Sequence, residues 1–98
     1  MSRDMRPIVR ARITKLQALD DASLRTLPSL VEEIEESNPV ITIFQYHDQS
    51  PNGEHTFVIQ ASRKRWLGMF TATEVDGFVI TTDGSRRGLT ESEKWPFI

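Results

Sequence analysis

Residues 28–47 read PSLVEEIEESNPVITIFQYH, and the hydrophobic period changes within this stretch. Leu24, Leu27, Val31 and Ile34 recur at intervals of three and four, which is the spacing of one helical face. Pro28 falls inside that face, where proline removes a backbone hydrogen bond and costs ~3 kcal/mol. The pattern therefore divides into a short helical turn over residues 21–26, which Asp20 and Asp21 can cap, and a second helix over about 28–37, which Asn38-Pro39 ends. Glu32, Glu33, Glu35 and Glu36 then sit in the final turns of that helix. Carboxylates there oppose the macrodipole by ~0.3–1 kcal/mol each, so a basic neighbour is expected: the N-terminal helix, the Arg63–Arg65 run or a partner.

From Val40 the period becomes two. VITIFQYH is rich in β-branched and aromatic residues and predicts a strand over about 40–47, covered in its first half. Pro51-Asn52-Gly53 supplies a hairpin turn, and HTFVIQA predicts a second strand over about 55–61. WLGMFTAT predicts a third over about 66–73, with Gly68 marking a bulge or a close backbone approach. Asp76-Gly77 and Asp83-Gly84 read as two tight turns around a fourth strand, about 78–82. Thr90 and Glu93 have capping-box spacing, which predicts one C-terminal helical turn pressing Trp95, Phe97 or Ile98 onto the body.

Upstream, Val9, Ile13, Leu16 and Leu19 line one face of a helix over about 8–20, with Pro7 in its first turn. The expected fold is α+β: N-terminal helices packed on an antiparallel four-stranded meander, with a short C-terminal helical turn. At 98 residues the chain has room for one modest core and is read as a single domain.

Composition narrows the chemistry. With 38% hydrophobic and 27% charged residues the chain is globular rather than disordered. The absence of cysteine removes disulfides, thiolate metal sites and thiol nucleophiles. No stretch approaches the ~18 apolar residues of a spanning helix, and MSRDMRPIVR carries charge where a signal peptide needs apolar residues, so no membrane association and a cytoplasmic location are expected. The net charge of −2 is unevenly spread: Arg3, Arg6, Arg10, Arg12 and Lys15 precede Asp20, Asp21, Glu32, Glu33, Glu35 and Glu36. A basic segment followed by an acidic one neutralises itself by folding back, or pairs with a second copy.

Three groups of residues are candidates for function. His47-Asp48 and Glu54-His55 face each other across the expected hairpin mouth, and two imidazoles with two carboxylates are the donor set of a divalent metal. Adjacent strand residues point to opposite faces, which weighs against this, and neither a metal nor another cofactor is expected. Ser50 with His47 and Asp48 lacks the strained elbow or oxyanion hole of a hydrolase, and the five glycines form no phosphate-cradling loop, so no enzyme is expected.

The second group is Arg63, Lys64, Arg65 and Trp66, which Arg86 and Arg87 would join if the meander brought alternate connections to one edge. That is a basic patch with a stacking ring, suited to nucleic acid, although the pI of about 5.6 opposes it. The competing view makes the bases a charged strand connection and Trp66 a core residue. The third is apolar surface, from Val40 to Phe44 and in Trp95, Phe97 and Ile98. The leading expectation is a small non-enzymatic module acting through a protein partner or as a homodimer, with nucleic-acid binding through the basic patch as the alternative.

Overall fold

The structure, a computed structural model, describes residues 5–37, 40–65 and 70–97. The fold is α+β. Helix α1 (Arg6–Gln17) and the short α2 (Asp21–Arg25) precede five strands, β1 (Leu30–Ser37), β2 (Val40–Gln49), β3 (His55–Arg65), β4 (Phe70–Ile80) and β5 (Arg86–Gly88). A helical turn, α3 (Glu91–Lys94), runs into a 3₁₀ turn at Trp95–Phe97. The strands form one antiparallel sheet in the order β1-β2-β3-β4-β5.

The expected helix over about 28–37 is a strand. Leu30↔Tyr46 through Ile34↔Thr42 pair in register, and Glu35 forms a bulge before Glu36↔Ile41. The physical reason lies in β2, a ten-residue strand inside the sheet whose second edge must satisfy its backbone groups. The segment before it supplies the partner. A strand also lacks the macrodipole that four glutamates would oppose, and Arg12 of α1 reaches across to donate to Glu33 (2.6 Å) and Glu35. Of the two expected ways to neutralise these segments, folding back is seen at Arg12, between a helix and a strand.

The second correction concerns residues 63–82. Arg63, Lys64 and Arg65 do not form a bend: they continue β3 and pair with Ala72, Thr71 and Phe70. Asp76-Gly77 is not a turn but lies inside β4, opposite Ile59 and Val58, so the expected separate third and fourth strands are one. Gly77 is required there because a Cβ would lie 2.1 Å from the Phe57 carbonyl oxygen, and the Asp76 carboxylate accepts from the Gly77 N–H at 2.8 Å. The expected start of a strand at Trp66, with its Gly68 bulge, lies outside the described residues.

Other expectations are met. The turn at Ser50–Glu54 has Gly53 at φ +91°, a conformation that suits glycine. Asp20 caps α2 through the Ser23 N–H, and Thr90 and Glu93 form a reciprocal capping box.

Alternation along the strands sorts side chains onto two faces. One carries Ile41, Ile43, Phe57, Ile59, Ala61, Phe78 and Ile80, which pack against Met5, Ile8, Val9, Ile13, Leu16 and Leu24 from the helical segment. Leu24 and Phe57 are fully buried, and removing such a side chain from water stabilises the fold by about 1.5–3 kcal/mol. The opposite face lies away from α1 and α2 and is covered in part by α3 and the turn after it. Val58, Val75 and Val79 are buried there, and Phe97 lies against Tyr46 with ring centroids 4.9 Å apart. Gln60 accepts from the Tyr46 hydroxyl at 3.1 Å and donates to the Phe97 carbonyl, which ties the C-terminal turn to β2 and β3.

Candidate functional site

Among the described residues, apolar side chains of β1 and β2 stand exposed beside the C-terminal turn. On the face opposite α1, Leu30, Ile34 and Val40 are 53%, 68% and 51% exposed, beside the half-buried Phe44 and Tyr46. Direct pairing places these residues together, because Leu30 lies opposite Tyr46, Glu32 opposite Phe44 and Ile34 opposite Thr42. The result is an apolar strip interrupted by one carboxylate, Glu32, at the margin of the sheet.

The margin is also an open edge. His47 N–H donates to the Ser29 carbonyl at 3.0 Å, which fixes the hydrogen-bonding phase between the two segments. Antiparallel pairs alternate, so Val31 and Glu33 bond inward to β2 while Leu30, Glu32 and Ile34 turn their N–H and C=O groups outward. Among the described residues no strand pairs with that side of β1.

Arg86 and Arg87 are not brought beside Arg63. Arg63 is buried, 4% exposed, in register with Ile41 and Ala72, and its neighbours Lys64 and Arg65 end β3 against the start of β4. Arg86 lies opposite Ile80, at the other end of β4, eight residues from Ala72 and so about 26 Å away at strand rise. Arg86 is engaged on the helical side: it donates to the Gln17 and Leu19 carbonyls and to Asp21, at 2.8–2.9 Å, with its guanidinium over the Phe78 ring. Arg87, next in the strand and therefore on the other face, donates through two nitrogens to Glu93 at 2.7 and 2.9 Å. Trp66 lies outside the described residues.

The two histidines do meet. His47 Nε2 and His55 Nδ1 are 2.9 Å apart, and His47 stacks on Phe57 with centroids 4.6 Å apart. Asp48 takes the alternate position on β2, and among the described residues no group of three or more histidine, aspartate or glutamate side chains gathers to hold a metal ion. Ser50 bonds within its own turn, to Asn52 and Glu54, rather than to His47. A surface groove of about 300 Å³ between β4 and α3 is lined by Thr73, Glu74, Val75, Glu91 and Lys94, a mixed set with no base or orienting acid bonded to its hydroxyl.

Sequence reasoning missed the β1 surface because it placed Leu30–Ser37 on a helix. The available signal was the alternation of Leu30, Glu32 and Ile34, which puts two apolar residues and one acid on one face of a strand. Against family models, curated proteins and solved structures the chain has no match.

Proposed function

We propose that the protein is a non-enzymatic module that acts by binding another protein through the face of β1 and β2 opposite α1. The observation that carries this reading is the exposure of Leu30, Ile34 and Val40 on one face, beside a strand edge that pairs with no strand among the described residues. Apolar groups scattered singly are ordinary on a surface; four or five sharing one face at a sheet margin form a surface that a partner can dehydrate. Nothing in the fold itself is stabilised by keeping Ile34 in water. The inward-turned histidine pair and the self-contained Ser50 turn support a role other than catalysis.

A second reading, nucleic-acid binding through the bases around Arg63–Arg65, loses the contribution of Arg86 and Arg87, which are paired at the far end of β4, and of Arg63, which is buried.

The test compares affinity capture by the wild-type chain and by Leu30→Lys/Ile34→Lys, followed by binding of the captured protein in purified form. Both substitutions fall on exposed positions, so the variant should fold with stability within about 1 kcal/mol of wild type. A purified partner that binds wild type and loses at least tenfold affinity for the variant supports the reading. Equal binding to both proteins overturns it. Gel shift with random single- and double-stranded DNA at low salt addresses the alternative, and no shift removes it.

A further inference from the structure

The face just described says where a partner lies; the edge of β1 says what chemistry it has. We infer that the partner adds an extended segment to β1 as a sixth strand, and that this segment carries lysine or arginine between apolar residues. The inference rests on the protein-binding reading of the β1–β2 face and specifies its occupant.

Three observations lead to this occupant. Leu30, Glu32 and Ile34 present outward-facing backbone donors and acceptors, which is the template for strand addition. Their side chains stand on the face opposite α1 in the order apolar, acidic, apolar, with the two apolar members more than half exposed. An added strand places a residue directly opposite each of them, at cross-strand contact distance, so its complement reads apolar, basic, apolar at alternate positions.

The third observation is charge. Arg12 engages Glu33 and Glu35 on the helical side of the sheet, and Glu32, on the other side, has no cation within ion-pair distance among the described residues. An incoming cation opposite Glu32 gains a partner that the fold leaves for it.

The same glutamates weigh against a second copy of the chain at this edge. A two-fold antiparallel pairing centred on Glu32 sets that residue against its own copy, and one centred on Glu33 does the same for Glu33. Like charges directly opposite are unfavourable, and natural sheets use charge in this way to prevent edge-to-edge association. A fence against self-pairing and a selector for a basic strand are one device, distinguished only by what approaches.

The experiment uses the full chain and a synthetic peptide of repeated Val-Thr-Lys-Thr, which presents valine and lysine alternately on one face. Backbone NMR of the protein reads the site. Saturable shifts and slowed exchange at the Leu30, Glu32 and Ile34 amides support the proposal, provided that a Val-Thr-Glu-Thr control binds at least about fivefold more weakly. Methylating the peptide nitrogens that face β1 removes main-chain bonding and keeps the charge; unchanged affinity of the methylated peptide overturns strand addition. In the protein, Glu32→Lys should reverse the preference between the two peptides without unfolding the exposed strand, and an unreversed preference overturns the charge assignment.

The two levels separate in the outcome. If the purified partner is lost by Leu30→Lys/Ile34→Lys but the lysine peptide leaves the β1 amides unmoved, the strand-addition inference falls and the binding face stands. If sedimentation shows a dimer whose interface protects the same amides, the heterologous occupant is replaced by a second copy and the inference is overturned.

Discussion

His47 Nε2 lies 2.9 Å from His55 Nδ1, and His47 Nδ1 lies 2.9 Å from the carbonyl oxygen of Leu27. The carbonyl can only accept, so His47 Nδ1 carries a proton, and in the neutral pair His55 Nδ1–H donates to His47 Nε2. The contact accommodates one proton between the two nitrogens. Protonating both rings fully would place two N–H groups nose to nose and break it.

A pH dependence of stability follows from this arrangement. Burial first, then the neighbouring His47 and then Arg25, hold the His55 pKa below its ordinary 6.5. The native state therefore disfavours the proton that the unfolded chain takes up. His55 contributes its stability above pH 6.5, and that contribution is lost as pH falls through the lowered native value. Urea denaturation from about pH 8 to about pH 5 should show a decline that His55→Phe reduces, since phenylalanine cannot titrate. An equal decline in the variant would show that the pair is not its source. Zinc should leave the His47 and His55 resonances unmoved, because each imidazole is already turned to the other or to a carbonyl.

Arg86 should be the stabilising arginine of the two in β5. Its donors go to the carbonyls of Gln17 and Leu19, just where α1 ends, and to Asp21 in the first turn of α2. It therefore fastens the last strand to the junction of the helices, from a side chain 27% exposed. Arg86→Ala should lower stability by about 1–3 kcal/mol, a loss typical of several hydrogen bonds from a charged group in a partly solvated site. Arg86→Lys should recover only part, because one ammonium cannot span three acceptors held in a fork. Thermal denaturation of the two variants decides this, and a lysine variant equal to wild type would mean that charge alone matters.

The expectations that held were those decided by local chemistry. The Pro51-Asn52-Gly53 turn, the Asp20 cap and the Thr90/Glu93 box each use a few adjacent residues to satisfy nearby backbone groups, so composition reveals them. The face of α1 was likewise legible, since Val9, Ile13 and Leu16 recur at helical intervals of four and three and share one destination. What failed was decided at long range. Val31 and Ile34 fit a helical face as well as a strand, and the choice was made by the unsatisfied edge of β2. Asp76-Gly77 has the composition of a turn, yet its conformation is set by the approach of the Phe57 carbonyl twenty residues earlier in the chain. The candidate surface was hidden for the same reason: a strand edge exists only once the sheet has formed.

Glu93 should make acid stability depend on Arg87. The two donors of Arg87 hold the Glu93 carboxyl at about 2, from an ordinary value of 4.5, with the Thr90 backbone N–H adding to the effect. A carboxylate with a lowered native pKa contributes stability that is present above about 4.5 and lost as pH falls through about 2. Glu93→Gln retains a side chain able to complete the capping box while removing the charge. The stability difference between wild type and Glu93→Gln should be constant above pH 4.5 and shrink toward zero near pH 2, and molar salt should reduce it because the pair is partly solvated. A difference that stays constant with pH would place the contribution in the cap rather than in the ion pair.

Gly77 gives the sharpest test of the corrected strand. An added Cβ would lie 2.1 Å from the Phe57 carbonyl oxygen and 2.9 Å from Leu89 Cδ1, and the first of these is backbone in the middle of the sheet, which cannot move aside cheaply. Gly77→Ala should therefore cost about 2–3 kcal/mol through displacement of β4 from β3. Gly88→Ala provides the contrast: its Cβ would meet nothing within 4 Å, and its effect should stay within about 0.5 kcal/mol. If Asp76-Gly77 were the exposed turn that its composition suggests, both substitutions would be mild. Urea midpoints of the two alanine variants thus distinguish one long β4 from two short strands joined at Gly77.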